Sequence, residues 1–242
     1  MTTTASRGSG SGRPFLFAAG LVATVLAALA LGRLAPPPSA AALSLHGPVV
    51  LLGWDGADPR VIEDLLGAGL MPNLRGLRQR GAYGRLRSHA PYLSPLLWTS
   101  VATGRRPPEH GVLDFVAGDP AGRVAPIGRG CRRVKALWEL ADERRLESLV
   151  VNWWASDPPD RVLGRVLSDR EIRESRGAPE REAARRVIGR LIRGDGPADA
   201  RMERLESFVA ETLAMQRGLL DGLRAGKPQL VMAYSEIGRA HV

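Results

Sequence analysis

Three apolar runs constrain this chain more than any other feature: "VVLLGW" (49–54), "LVVNWW" (149–154) and "LVMAY" (230–234). A strand with one wet face alternates apolar and polar residues. A short uninterrupted apolar run instead marks a strand buried on both faces. Charged and amphipathic stretches separate the runs, chiefly "DPRVIEDLLGAG", "RVKALWELADERR", 169–193 (broken near "RGAPE") and 201–225. Strands alternating with helices predict an α/β fold, with a mostly parallel central sheet flanked by helices on both faces. Local signals agree. Asp58 followed by Pro59 reads as a helix cap and first position, and "MPNLRGLRQRG" reads as a second helix ended by Gly81. "AYGRLRSHA" (82–90) alternates like a strand. "SPLLWTSVATG" (94–104) reads as a helix with Ser94 as cap, Pro95 at its first position and Gly104 just past its end.

The 242 residues carry a net charge of +9, which invites a nucleic-acid reading. Of the 34 basic residues only Lys135 and Lys227 are lysines, and the arginines interleave with acids through 139–206. No basic run carries the interspersed aromatics of a nucleic-acid face, so no nucleic-acid partner is expected. The single cysteine, Cys131, excludes an internal disulfide. Residues 1–13 are Gly/Ser/Thr-rich and read as a disordered cytoplasmic tail. Residues 14–32 contain no charge and end at Arg33. As a helix they would span roughly 28 Å, close to the hydrocarbon thickness of a bilayer. This segment reads as a transmembrane anchor, with a cleaved signal peptide as the alternative. Either one exports the rest of the chain, giving a membrane-held extracytoplasmic domain or a secreted or periplasmic one. Residues 33–46 form a Pro/Ala linker, and 47–236 form the folded domain.

In parallel sheets ligands bind beyond the carboxyl ends of the strands. Asp55 stands there, between Gly53 and Gly56 at the end of the first apolar run. Such a carboxylate suits a cation, and equally it suits capping a turn. Ser94 is set apart from Thr99, Ser100 and Thr103 by its place at the helix start, where unpaired amides and the dipole favour an anion such as phosphate. Its hydroxyl reads either as a plain cap or as a nucleophile toward phosphorus. The other three lie within the helix, and their hydroxyls are expected to bond back to carbonyls one turn earlier.

"VVLLGWDGADPRVIEDLLGAGLMPNLRGLRQRGAYGRLRS", "SPLLWTSVATGRRPPEHGVLDF" and "VVNWWASDPPDRVLGRVLSDR" together resemble the alkaline phosphatase superfamily. The similarity is to its type I phosphodiesterase/nucleotide pyrophosphatase members, over residues 48–236. That resemblance implies a phosphoester hydrolase using two divalent metal ions, usually zinc, and a phosphoserine intermediate. Asp55 matches the aspartate that binds one metal. Ser94 matches the nucleophile that bridges both, with Thr103-Gly104 as the marker nine residues on. Phe115 stands where nucleotide pyrophosphatases carry a phosphate-contacting asparagine, which leaves phosphomonoesters and lipid- or glycan-linked phosphodiesters open as substrates. Trp153, Trp154 and Asp157 are candidate substrate contacts, and His110 is expected to shape the turn after the helix. A phospho-group transferase acting on an envelope lipid or glycan, or a non-catalytic binding member, are the alternatives.

The family's remaining metal ligands follow a strand like "LVMAY", as an Asp and a His a few residues apart and then an Asp-His pair. Here "AYSE" runs into "IGRAHV" (237–242), which resembles a translated sequencing adapter. The expectation is that residues 237–242 are not native, that the missing ligands lie beyond them, and that this stretch by itself is inactive.

Overall fold

The computed structural model describes residues 47–118, 121–175, 177–191 and 200–236. The tail, anchor and linker assigned to 1–46 and the tail assigned to 237–242 lie outside them. No helix among the described residues is long and apolar enough to cross a membrane, and segment 14–32 is not among those residues.

The central sheet contains β1 (Val49–Asp55), β4 (Ser148–Val151), β5 (Gly164–Leu167) and β6 (Leu230–Glu236), in the order β1-β6-β4-β5. Every pairing in it is parallel, as the apolar runs predicted. A separate antiparallel hairpin joins β2 (Val116–Gly118) to β3 (Val124–Pro126). The helices are α1 (Pro59–Gly67), α2 (Pro72–Arg80), α3 (Ser94–Thr103), α4 (Pro107–His110), α5 (Leu137–Asp142), α6 (Asp169–Glu174), α7 (Ala178–Leu191) and α8 (Ala200–Ala225).

Strand periodicity sorts the core into two layers. Leu149, Val151, Val231 and Ala233 face one way and pack with Ile172, Ala214 and Met215 from α6 and α8. Val150, Leu230, Met232 and Tyr234 face the other, against Trp138, Trp153 and Trp154, with Trp98 of α3 at the edge of that cluster. α8 approaches closely because Gly218 and Gly222 are one turn apart on its sheet side. A Cβ on Gly222 would sit 2.5 Å from Leu149 Cδ1 and one on Gly218 2.8 Å from Leu167 Cδ1.

A buried polar cluster holds the loops below the second layer. The Arg132 guanidinium donates to Glu139 Oε2 at 2.5 Å, Asp160 Oδ2 at 2.6 Å and the Ala155 carbonyl at 3.1 Å. Trp138 Nε1 donates to the same Asp160 oxygen at 2.7 Å. Burial opposes charge on Glu139, but the Ala136 N–H and the Arg132 guanidinium outweigh it and hold the carboxyl below the usual range.

Two expectations fail. Residues 82–90 form no strand, because no neighbouring strand among the described residues supplies the ladder that alternation alone cannot provide. β1 is not buried on both faces: it is an edge strand in the described sheet, and Val49, Val50 and Leu52 are about half exposed.

Candidate active site

Asp55 is the last residue of β1, in register with Glu236 at the end of β6. One turn of side-chain alternation back along β6, Tyr234 Oη donates to Asp55 Oδ2 at 2.8 Å. Burial first, and the Asp55 carboxylate next, push the Tyr234 phenol far above its ordinary range, so it stays a proton donor. The carboxylate is thereby held in one orientation at the sheet's carboxyl edge.

α3 is fastened over this edge by aromatic packing. The ring of Trp98 lies on Gly53, where a Cβ would come within 2.5 Å of it, so β1 needs glycine at this position. Trp98 meets Trp153 edge-on at 5.6 Å and Tyr234 edge-on at 5.1 Å, contacts worth about 0.5–1.5 kcal/mol each beyond area burial. Trp153 Nε1 also donates to the Trp98 carbonyl at 3.1 Å.

The helix start differs from expectation by one residue. The first backbone bond of α3 runs from Leu97 N–H to the Leu93 carbonyl at 3.0 Å. Leu93 is therefore the cap and Ser94 the first helical residue, with Pro95 behind it. The Ser94 hydroxyl is not used in capping. It is half-buried at the amino end of α3, and no hydrogen bond joins it to Asp55 or to any other described residue.

The other hydroxyls belong to the helix. Ser100 Oγ donates to the Leu96 carbonyl at 3.0 Å and Thr103 Oγ1 to the Thr99 carbonyl at 2.7 Å. Thr99 departs from that expectation: its Oγ1 is buried without a partner. Ser100 Oγ is also 2.9 Å from His110 Nε2, a distance that would suit a Ser–His nucleophile. The hydrogen-bond network argues otherwise. The Val112 N–H donates to His110 Nδ1 at 3.2 Å, which assigns the ring proton to Nε2, where it is donated to Ser100. That nitrogen cannot accept the serine proton. Burial lowers the His110 imidazole below its ordinary range. His110 thus shapes the turn after α3, as the sequence suggested.

The remaining candidates separate. Trp153 is fully buried in the core. Trp154 lines a cleft of about 620 Å³ with Phe115, Asp169, Arg170 and Arg173, and Phe115 meets it edge-on at 5.6 Å. Asp157 accepts from Ser168 Oγ at 3.1 Å and lies 3.4 Å from Arg170 Nε, while its carbonyl accepts from the Arg129 N–H at 2.6 Å. Those contacts tie the turn after β4 to the end of β5. Asp55 opens instead on a cleft of about 380 Å³ shared with Arg87, His89 and one side of α3. Sequence reasoning had not singled out Arg87, His89 or Tyr234.

The described residues do not fit a two-metal centre. None of them form a group of three or more His, Cys, Asp or Glu able to hold a metal ion, and a zinc ion takes about four ligands. Asp55 and Ser94 supply at most part of such a site.

The comparisons with known proteins converge. A sequence model of the family described as type I phosphodiesterase / nucleotide pyrophosphatase matches residues 49–238. The fold is similar to phosphonoacetate hydrolase from Sinorhizobium meliloti 1021, solved with phosphonoformate (TM-score 0.55, 19% identity) and with phosphonoacetate (TM-score 0.53, 20% identity). Each match covers 78% of this chain and 46% of that one, so this chain spans about half the length of those structures. No curated protein sequence matches it. The match over 49–238 takes in every strand and helix of the described fold, and the chain belongs to the type I phosphodiesterase / nucleotide pyrophosphatase family.

Proposed function

We propose that this chain carries the nucleophile and one metal ligand of a phosphoester hydrolase that works through a phosphoserine intermediate. The observation that carries the reading is the uncommitted Ser94 hydroxyl at the amino end of α3. Family membership and the Tyr234-oriented Asp55 support it. Two divalent ions, zinc in the usual family pattern, would lower the pKa of the nucleophile and offset charge on the attacking and leaving oxygens. The described residues do not complete that site. First-turn amides of α3, which a helix leaves unpaired, face the phosphoryl oxygens, with Pro95 contributing none. Ser94 Oγ bonds to phosphorus, the ester P–O bond breaks, and the departing alcohol keeps the serine's proton in the net balance. Water then cleaves the Oγ–P bond and restores the hydroxyl. An extracytoplasmic location, with residues 14–32 at the membrane, is part of the same reading and rests on the sequence.

The test is metal-stimulated hydrolysis of an aryl phosphodiester by the chain and its Ser94→Ala variant. With only part of the ligand set in place the rate is expected to be low. Loss of that small metal-stimulated component to background in the variant is the expected result. A measurable rate that Ser94→Ala leaves unchanged removes Ser94 from the role.

A further inference from the structure

The arginines of this chain are not spread evenly among its acids. Through 139–206 the two interleave, but from residue 65 to residue 108 there is no aspartate or glutamate, and five arginines fall between 75 and 87. That charge sits on surface the fold leaves uncovered. α2 has no buried residue, and every residue from 77 to 92 is exposed. Arg78 ties the helix to the segment after it, pairing with Glu63 of α1 and placing its guanidinium over the Tyr83 ring at 4.2 Å. Arg80, Arg85 and Arg87 form no hydrogen bond or ion pair with a described residue. Apolar side chains stand in water between them: Leu86 is 91%, Tyr92 74% and Leu77 61% exposed. Exposed leucines beside unpaired arginines complement a partner that offers both negative charge and an apolar interior.

We propose that α2 and residues 77–92 dock this domain on an anionic lipid surface, with the arginines among the phosphates and Leu77, Leu86 and the tyrosines at the boundary with the acyl chains. Arginine, leucine and tyrosine on one exposed segment make up an interfacial membrane contact: cations are drawn to anionic headgroups, and amphipathic rings seat at headgroup level. Nucleic acid would match the charge and stack on the tyrosines, but it offers the leucines no apolar phase. The chain also supplies a tether, and this part rests on the reading of 14–32 as a membrane segment. Residues 33–46, fully extended, reach at most about 50 Å, and β1 begins at Val49, so the domain stays near the bilayer. A contact too weak to hold a free protein suffices for one already held there.

The test reads contact by the patch itself, because segment 14–32 would hold the full chain on any bilayer. Hydrogen exchange is measured on the full chain reconstituted in phosphatidylcholine vesicles and in equimolar phosphatidylcholine/phosphatidylglycerol vesicles. The amides of 82–90 make no hydrogen bond to a described residue, so they exchange fast until something covers them. Exchange over 77–92 is expected to slow about fivefold or more on the anionic vesicles alone, and to recover in molar salt. Arg85→Ser, Leu86→Ser and Arg87→Ser together, all at exposed positions, are expected to remove the slowing. Equal exchange on the two vesicles, or slowing that survives the triple variant, overturns the proposal. So does greater slowing over 77–92 by a DNA duplex than by the anionic vesicles at the same salt, which would make nucleic acid the partner. A chain that floats with anionic vesicles but not with neutral ones sinks the membrane reading of 14–32 and, with the slowing present, leaves the patch standing.

Discussion

Val50 and Val231 are partners in register on adjacent parallel strands, yet Val50 is 54% exposed and Val231 2%. Both sit in apolar runs that predict burial on two faces. β6 achieves it because β1 and β4 flank it and both of its faces are covered, by α8 on one side and the tryptophan cluster on the other. β1 has β6 on one edge and no second neighbour among the described residues. An apolar run records that a strand can be buried, and its place in the sheet decides whether it is.

The covered side is broken most severely at Arg132. Its guanidinium neutralises Glu139 and Asp160 in a region where the Arg132 side chain is 2% and the Asp160 side chain 4% exposed. Arg132→Met keeps much of the volume and strands those carboxylates. Removing one member of a buried ion pair costs about 3–5 kcal/mol, read as a fall in the urea midpoint at pH 7. A shift under about 1 kcal/mol would mean that Arg129, which also contacts Asp160, takes over the role.

The valine pair turns the opening contrast into a measurement. Val231→Thr places a hydroxyl in the packed layer without a partner, at a cost of about 1–3 kcal/mol. Val50→Thr places the same hydroxyl in water, and a surface change of this kind stays within about 0.5 kcal/mol. Equal costs from the two unfolding curves would show that β1 is covered in solution by something absent from the described fold.

Much of this framework was legible in the sequence, for physical reasons that differ by element. β1, β4 and β6 announce themselves as uninterrupted apolar runs. α1 was readable because Asp58 does cap it, its Oδ1 accepting from the Arg60 N–H at 2.8 Å. Gly104 does end α3, in the left-handed region at φ 63. β5 escaped notice because "GRVL" is short and carries an arginine, and the β2–β3 hairpin because its strands are three residues each. At the candidate site, Asp55 could be placed because it ends an apolar run, between Gly53 and Gly56. Tyr234, its hydrogen-bond donor, is 179 residues away, and only the β1–β6 register brings the two together. The cap shifted from Ser94 to Leu93 because that choice turns on a single backbone bond, which spacing does not specify.

The smallest of the expected effects comes from protons at His110 on the covered side. Its side chain is fully buried, and burial lowers its affinity for a proton below the ordinary value of 6.5. In the unfolded chain the imidazole takes up a proton as the pH falls through 6.5, while the folded state still refuses it. The unfolded state then binds more protons, so stability declines on acidification and is recovered as the pH rises above that range. His110→Gln removes this dependence. It also lowers stability at every pH, since the Val112 N–H and Ser100 lose their partner, so the diagnostic quantity is the slope and not the midpoint. Urea unfolding at pH 7.5 and pH 5.5 is expected to show a smaller drop for the variant than for the parent. Equal drops would mean that His110 admits a proton without unfolding, which requires the α3–α4 turn to open to water while the sheet beneath it holds.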